Sequence, residues 1–243
     1  MNIKAISETH FMIYDKNEIN PDVKEKISFL AMQLEELNHP GVLSVTTSYN
    51  SIMVEFDGLN FTYEQLLEDL KLNEIEKTKK SSNQSKKCII LPVVYGEQYG
   101  PDLNVVADHA NITKEDVINI HTGGQYLIYA IGFLPGFPFL GGLDKKIHTP
   151  RKETPRKKIA AGSVGIANNQ TGLYPKESPG GWQIIGRTPI DVFNLNRNPM
   201  ILYEAGDYIS FESIDEETYN KIEKEILDGT YDYNQLVGEV RWK

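Results

Sequence analysis

The sequence predicts an α+β chain in two parts, a small N-terminal α/β domain followed by a larger all-β barrel or sandwich. Three observations carry that prediction. The N-terminal third alternates short apolar runs with apolar stripes at helical spacing. Residues 74–87, EIEKTKKSSNQSKK, hold almost nothing that can be buried and read as a linker. From Leu134 onward Gly and Pro punctuate the chain every few residues with short apolar runs between them, the pattern of a many-stranded β domain. The expected division is a first domain over 1–80, a link over 81–87 and a second domain over 88–243.

In the first part, His10 to Tyr14 suits a short strand. Asn20 is placed to cap a helix opened by Pro21 and Asp22. Val23, Ile27, Leu30, Ala31, Leu34 and Leu37 then make one apolar stripe, which His39-Pro40-Gly41 stops. Val42 to Ser48 and Ile52 to Phe56 read as strands joined by the Tyr49-Asn50 turn. Thr62 and Gln65 form a capping box ahead of Leu66, Leu67 and Leu70.

In the second part, Cys88 to Tyr95 and Tyr126 to Phe133 are apolar strands. Between them lie a helix over Asp102 to Ala110 and a second one opened by the capping box Thr113 and Asp116. Ser163 to Ala167, Trp182 to Gly186, Met200 to Tyr203 and Tyr208 to Ile214 supply further short runs. Tyr219, Ile222 and Ile226 share a helix face that Gly229 can end.

Composition narrows the partners. The 243 residues carry a net charge of −9, which does not attract phosphate backbones, so nucleic acid is not expected. No run approaches the roughly 20 apolar residues that cross a bilayer, and the start lacks the pattern of a secretion signal. The single cysteine, Cys88, permits no intrachain disulfide, which fits a cytoplasmic location. There is no GxxxxGK[ST] loop, no HExxH, no paired CxxC and no GxSxG, so no nucleotide, metal or nucleophile-elbow motif is expected in this chain. His121, before Thr122-Gly123-Gly124, reads as a partner of helix carbonyls.

The chemistry concentrates in residues 132–190. Arg151, Lys152, Arg156, Lys157 and Lys158 crowd into one stretch of an otherwise acidic chain, and Arg151 and Arg156 each follow a proline in a Thr-Pro-Arg triplet. A guanidinium on a proline-stiffened backbone suits bidentate recognition of a carboxylate or phosphate. The surrounding glycines either serve the tight turns of a small barrel or offer main-chain N–H groups to an anion. Ser163, Gln183 and Arg187 add polar groups, and His148 is the one histidine placed to act as an acid or base. Tyr174 and Trp182, the latter after Gly180-Gly181, either wall a pocket or pack a core.

The motifs GFLPGFPFLGGL, TPRKETPRK, AAGSVGIA, QTGLYPKESPGGWQIIGRTP and LPVVYG…GPDL together resemble the PxpB/KipI family, also known as allophanate hydrolase subunit 1 and as carboxyltransferase subdomains C and D. The resemblance implies a cyclophilin-like β-barrel for the C-terminal domain. It also implies a subunit of an ATP-dependent 5-oxoprolinase that opens 5-oxo-L-proline to L-glutamate, working with a PxpC-like subunit in direct contact and a PxpA-like subunit. The alternatives within the family are a Kip-type inhibitor of a sporulation histidine kinase and an amide-processing carboxyltransferase subunit. ATP would be used by the assembled complex, and no metal is evident. Without a self-sufficient catalytic set, the expected division of labour is that Arg151, Arg156 and Arg187 act on the reacting groups, while Ser163, Tyr174, Trp182, Gln183, Gly180, Gly181 and His148 bind substrate.

Overall fold

A computed structural model describes residues 2–15, 21–72 and 86–240. The expected cap Asn20 and nearly all of the expected linker lie outside the described residues. The chain forms two compact units, Met1–Ser85 and Lys86–Lys243.

In the first unit, β1 (Asn2–Ala5), β2 (His10–Tyr14), β3 (Val42–Thr47) and β4 (Ser51–Phe56) form a sheet in the order β1-β2-β4-β3. All neighbours are antiparallel. β1 was not expected: its sequence NIKA carries little pattern, and it is extended because it pairs with β2, Asn2 opposite Tyr14. Phe11, Ile13, Ile52, Val54 and Phe56 line the inner face of this sheet. Against them pack Val23, Ile27, Leu30, Ala31 and Leu34 of α1 (Pro21–Glu36), with Leu66 and Leu70 of α2 (Tyr63–Leu70). Thr62 and Gln65 exchange both bonds of the capping box. Leu37, expected on the buried stripe, is instead 51% exposed, because α1 ends at Glu36 and Asn38 turns the chain at φ 45°.

The second unit contains, in chain order, β5 (Cys88–Tyr95), α3 (Leu103–Ala110), α4 (Lys114–Gly123), β6 (Tyr126–Ile131), β7 (Pro138–Gly141), β8 (Arg156–Ile159), β9 (Ser163–Ala167), β10 (Gln170–Leu173), β11 (Ser178–Gly180), β12 (Gln183–Arg187), β13 (Tyr208–Ser213), α5 (Glu216–Leu227) and β14 (Val237–Gly238). Seven strands in the order β12-β9-β10-β7-β6-β13-β5 close into a barrel through a β12–β5 pairing. This is the closed barrel expected for the C-terminal domain. β5 and β13 run parallel over six residue pairs, and β14 extends the sheet beside the start of β5. Closure brings β12 tight against β5: a Cβ on Gly186 would sit 2.6 Å from the Val94 carbonyl oxygen, so only glycine fits there. Leu91, Val93, Ile128, Leu140, Val164, Ile166, Ile185 and Ile209 fill the interior. Among the described residues no helix is long and apolar enough to cross a membrane.

The expected run Met200 to Tyr203 is not a strand. Arg197 donates to the carbonyls of Asp191, Pro199 and Met200 and ties this stretch into a loop, leaving a single bridge between Phe193 and Ile201. Tyr203 nevertheless plugs the core, its hydroxyl donating to the Gly136 carbonyl at 2.6 Å.

His121 also departs from expectation. It shares the buried face of α4 with Val117, and its ring enters the core instead of meeting helix carbonyls. Thr171 Oγ1 donates to the Gly165 carbonyl at 3.0 Å, so it accepts from His121 Nε2 at 2.8 Å. Nδ1 then accepts from the Tyr95 hydroxyl at 2.8 Å. A neutral imidazole thus links β5, α4 and β10, stacked on Phe211 at 4.6 Å. Burial pushes its pKa from 6.5 down to about 3. Between those values the unfolded chain binds a proton that the folded chain refuses, so the stabilisation is complete above the unfolded pKa and is lost as pH falls below it. The slope from this group is about 1.4 kcal/mol per pH unit. Urea unfolding of the wild type should therefore show stability falling by about 2 kcal/mol between roughly pH 6.5 and 5. His121→Gln should be less stable at neutral pH yet lose less on acidification; equal slopes in both proteins would contradict the buried neutral imidazole.

Candidate functional site

Residues 95–102, YGEQYGPD, lie along β12 and organise the site. Gly96 N–H donates to the Ile185 carbonyl at 3.0 Å and Asp102 N–H to the Ile184 carbonyl at 2.8 Å. Gly100 lets this backbone close on the strand, since a Cβ there would fall 2.0 Å from the Ile185 oxygen. Asp102 stands at the cap position of α3 but makes no side-chain cap hydrogen bond. Its carboxylate instead accepts from Ile184 N–H at 2.7 Å, Arg156 Nη2 at 2.7 Å and Lys152 Nζ at 3.4 Å. Its side chain is only 4% exposed. Burial alone would raise its pKa; the hydrogen bonds from Arg156 and Ile184 and the charges of Arg156 and Lys152 outweigh that and hold it below the usual carboxylate range.

The Pro-Arg segment is fastened at several points. Thr149 and Asn168 exchange backbone bonds of 3.2 and 2.7 Å. Gln183 Nε2 donates to the Pro150 carbonyl at 2.9 Å, and Lys152 N–H to the Gly181 carbonyl at 2.7 Å. Beyond it β8 pairs with β11, Arg156 opposite Gly180. The two arginines then differ. Arg156 is half-buried and committed to Asp102, while Arg151 is exposed and stands with its Cζ 5.7 Å from the Trp182 ring. No acidic partner of Arg151 is present among the described residues.

Trp182 and Tyr174 are buried in a small aromatic cluster with Phe137, outside the main barrel core. Core packing therefore describes both. Tyr174 still senses the arginines: burial drives its pKa up to about 12, against the pull of Arg151 and Arg156. Arg151, Arg156, Tyr174, Trp182 and Gly180 thus come together.

The other expected residues sit apart from that group or play backbone parts. Arg187, at the far end of β12, places its Cζ 5.6 Å from the Tyr99 ring, and its buried Nε has no hydrogen-bond partner among the described residues. Ser163 is buried opposite Arg187, and its carbonyl accepts from Tyr174 N–H at 2.8 Å. His148 Nε2 is occupied by the Leu143 carbonyl at 3.1 Å. Gly181 offers its carbonyl to Lys152 N–H at 2.7 Å. Two surface cavities, of 210 and 200 Å³, lie elsewhere, one by His39 and Val45 and one by Arg197 and Tyr233. The Arg151 face lines neither.

Sequence reasoning missed Asp102, Tyr99 and Lys152. Asp102 falls in the motif GPDL, where an aspartate before an apolar helix reads as a simple cap. No local signal in the sequence ties Asp102 to residues 151–158, since a run of cations can equally well be solvated at the surface.

Among the described residues Arg151 has no acidic partner and stands over the Trp182 ring, while Asp102 neutralises Arg156. That suits capture of a small carboxylate by Arg151, with Arg156 as support. Arg151→Ala should cost no more than about 1 kcal/mol of stability, the scale of an exposed cation–π contact. Arg156→Ala should cost about 2 kcal/mol or more by stripping a buried carboxylate of its main partner. Denaturant unfolding checks this; equal, small losses would remove the Asp102–Arg156 pair as a structural element.

Residues 1–203 match the family model "Carboxyltransferase domain, subdomain C and D". The chain is 38% identical over 233 residues to the B-type subunit of 5-oxoprolinase from Bacillus subtilis (strain 168), covering 92% of this chain and 97% of that one. The crystal structure of TTHA0988 superposes with a TM-score of 0.73 at 30% identity over 85% of this chain, which spans only 39% of that longer chain. Urea amidolyase of K. lactis shares the fold at TM-score 0.77 and 21% identity, over 94% of this chain and 16% of its own. The chain belongs to the carboxyltransferase subdomain C and D family.

Proposed function

We propose that this chain is the B-type component of an ATP-dependent 5-oxoprolinase, a cytoplasmic complex that converts 5-oxo-L-proline to L-glutamate with PxpA-like and PxpC-like subunits, the PxpC-like subunit touching it directly. The observation that carries this reading is the end-to-end likeness to a protein of that name, joined to an exposed guanidinium suited to a small carboxylate. 5-Oxoproline offers a carboxylate on a five-membered lactam. Arg151 accepts that carboxylate through paired N–H donors, and Trp182 backs the guanidinium so that little side-chain freedom is lost on binding. Arg156, tied to Asp102, supports the segment that carries Arg151, while Arg187, over Tyr99 at the far end of β12, stands apart from the Arg151 group. ATP is used by the assembled complex, and this sequence holds no GxxxxGK[ST] loop.

Co-expression with PxpA-like and PxpC-like chains should give ATP-dependent glutamate release from 5-oxoproline that disappears when this chain is omitted. In that complex Arg151→Ala should raise KM for 5-oxoproline about tenfold or more, the loss of one charge-assisted bidentate contact, while the subunits still co-purify. Release of glutamate without this chain would end the proposal, and an unchanged KM would remove Arg151 from the site.

A further inference from the structure

We propose that Asp102 is the positioning residue of this face: by clamping Arg156 and Lys152 it fixes the segment 149–156 so that Arg151 stands over Trp182 and points outward. The functional half of this inference rests on the reading of Arg151 given above; the mechanical half does not. An aspartate opening a helix ordinarily bonds the first helical amides. Asp102 forgoes that bond and collects donors from three separate places: Ile184 on β12, Arg156 on β8, and Lys152 in the segment between the two Thr-Pro-Arg triplets.

The geometry makes the clamp span the segment that matters. Lys152 neighbours Arg151 in sequence, and Arg156 closes the other end. Arg156 Nη1 also reaches the carbonyl of Trp182 at 3.5 Å, the residue whose ring lies beneath Arg151. Glu153, Thr154 and Pro155 between them are exposed. With the carboxylate removed, the segment keeps its backbone bonds to Gly181 and Gln183, while two cations lose the charge that draws them inward. Asp102 touches no reacting atom; it acts through Arg156 and Lys152 on where Arg151 sits.

Asp102→Asn keeps the volume and an oxygen for Ile184 N–H but discards the charge. In the full-length chain, amide hydrogen exchange at residues 149–156 and trypsin cleavage after Arg151 and Lys152 should speed up about tenfold or more relative to wild type, while exchange in β9 and β10 stays the same. Should that variant fail to fold, Lys152→Met removes one arm of the clamp and should give a smaller increase confined to the same segment. In the assembled complex, Asp102→Asn should raise KM for 5-oxoproline about tenfold with kcat changed less than about threefold, and adding Arg156→Gln should make it no worse. Unchanged exchange in both variants overturns the clamp. Faster exchange with an unaltered KM overturns its role in presenting Arg151. A wild-type complex that releases no glutamate sinks the proposed activity instead, and leaves the clamp to be judged on exchange alone.

Discussion

The site depends on how the barrel disposes of one buried carboxylate. Asp102 is brought against β12 because Gly96 turns the chain at φ 76° and Gly100 lets the backbone close on the Ile185 carbonyl. A lone charge there would be prohibitively costly to desolvate. Ile184 N–H, Arg156 and Lys152 make it tolerable, and each is thereby held in place. The neutralisation has a chemical consequence. Of the two proline-preceded arginines, one is consumed as structure and the other has no acidic partner among the described residues.

The barrel supplies the rigidity this requires. Its closure at β12–β5 puts the strand that carries Ile184 and Arg187 into a sheet without free edges on that side. Inside, the Tyr95–His121–Thr171–Gly165 chain of hydrogen bonds ties α4 to the three strands β5, β10 and β9 with every ring nitrogen of His121 satisfied. A satisfied buried polar chain of this kind specifies one arrangement of the core at the cost of sensitivity to acid. The aromatic cluster of Phe137, Tyr174 and Trp182 is separate from that core and forms the base under Arg151.

Much of this was legible from local pattern. The helices announced themselves through periodicity and capping boxes, as at Thr62 and Thr113, because both signals lie within one or two turns. The barrel strands showed as short apolar runs between glycines, and the Thr-Pro-Arg triplets marked the right segment. What stayed hidden was nonlocal. β1 exists by pairing, the Met200 run was claimed by Arg197, and His121 was turned inward by partners 26 and 50 residues away. Arg156 and Arg151 look alike in sequence; only the arrival of Asp102, 54 residues before Arg156, separates the supporting guanidinium from the presented one.

The most direct test is a double-mutant cycle in denaturant unfolding with Asp102→Asn and Arg156→Gln, singly and together. The expected coupling energy is about 1.5 kcal/mol or more, within the range for contacting buried groups. A coupling indistinguishable from zero would mean that the carboxylate and the guanidinium do not hold each other, and the distinction drawn between Arg156 and Arg151 would fall with it.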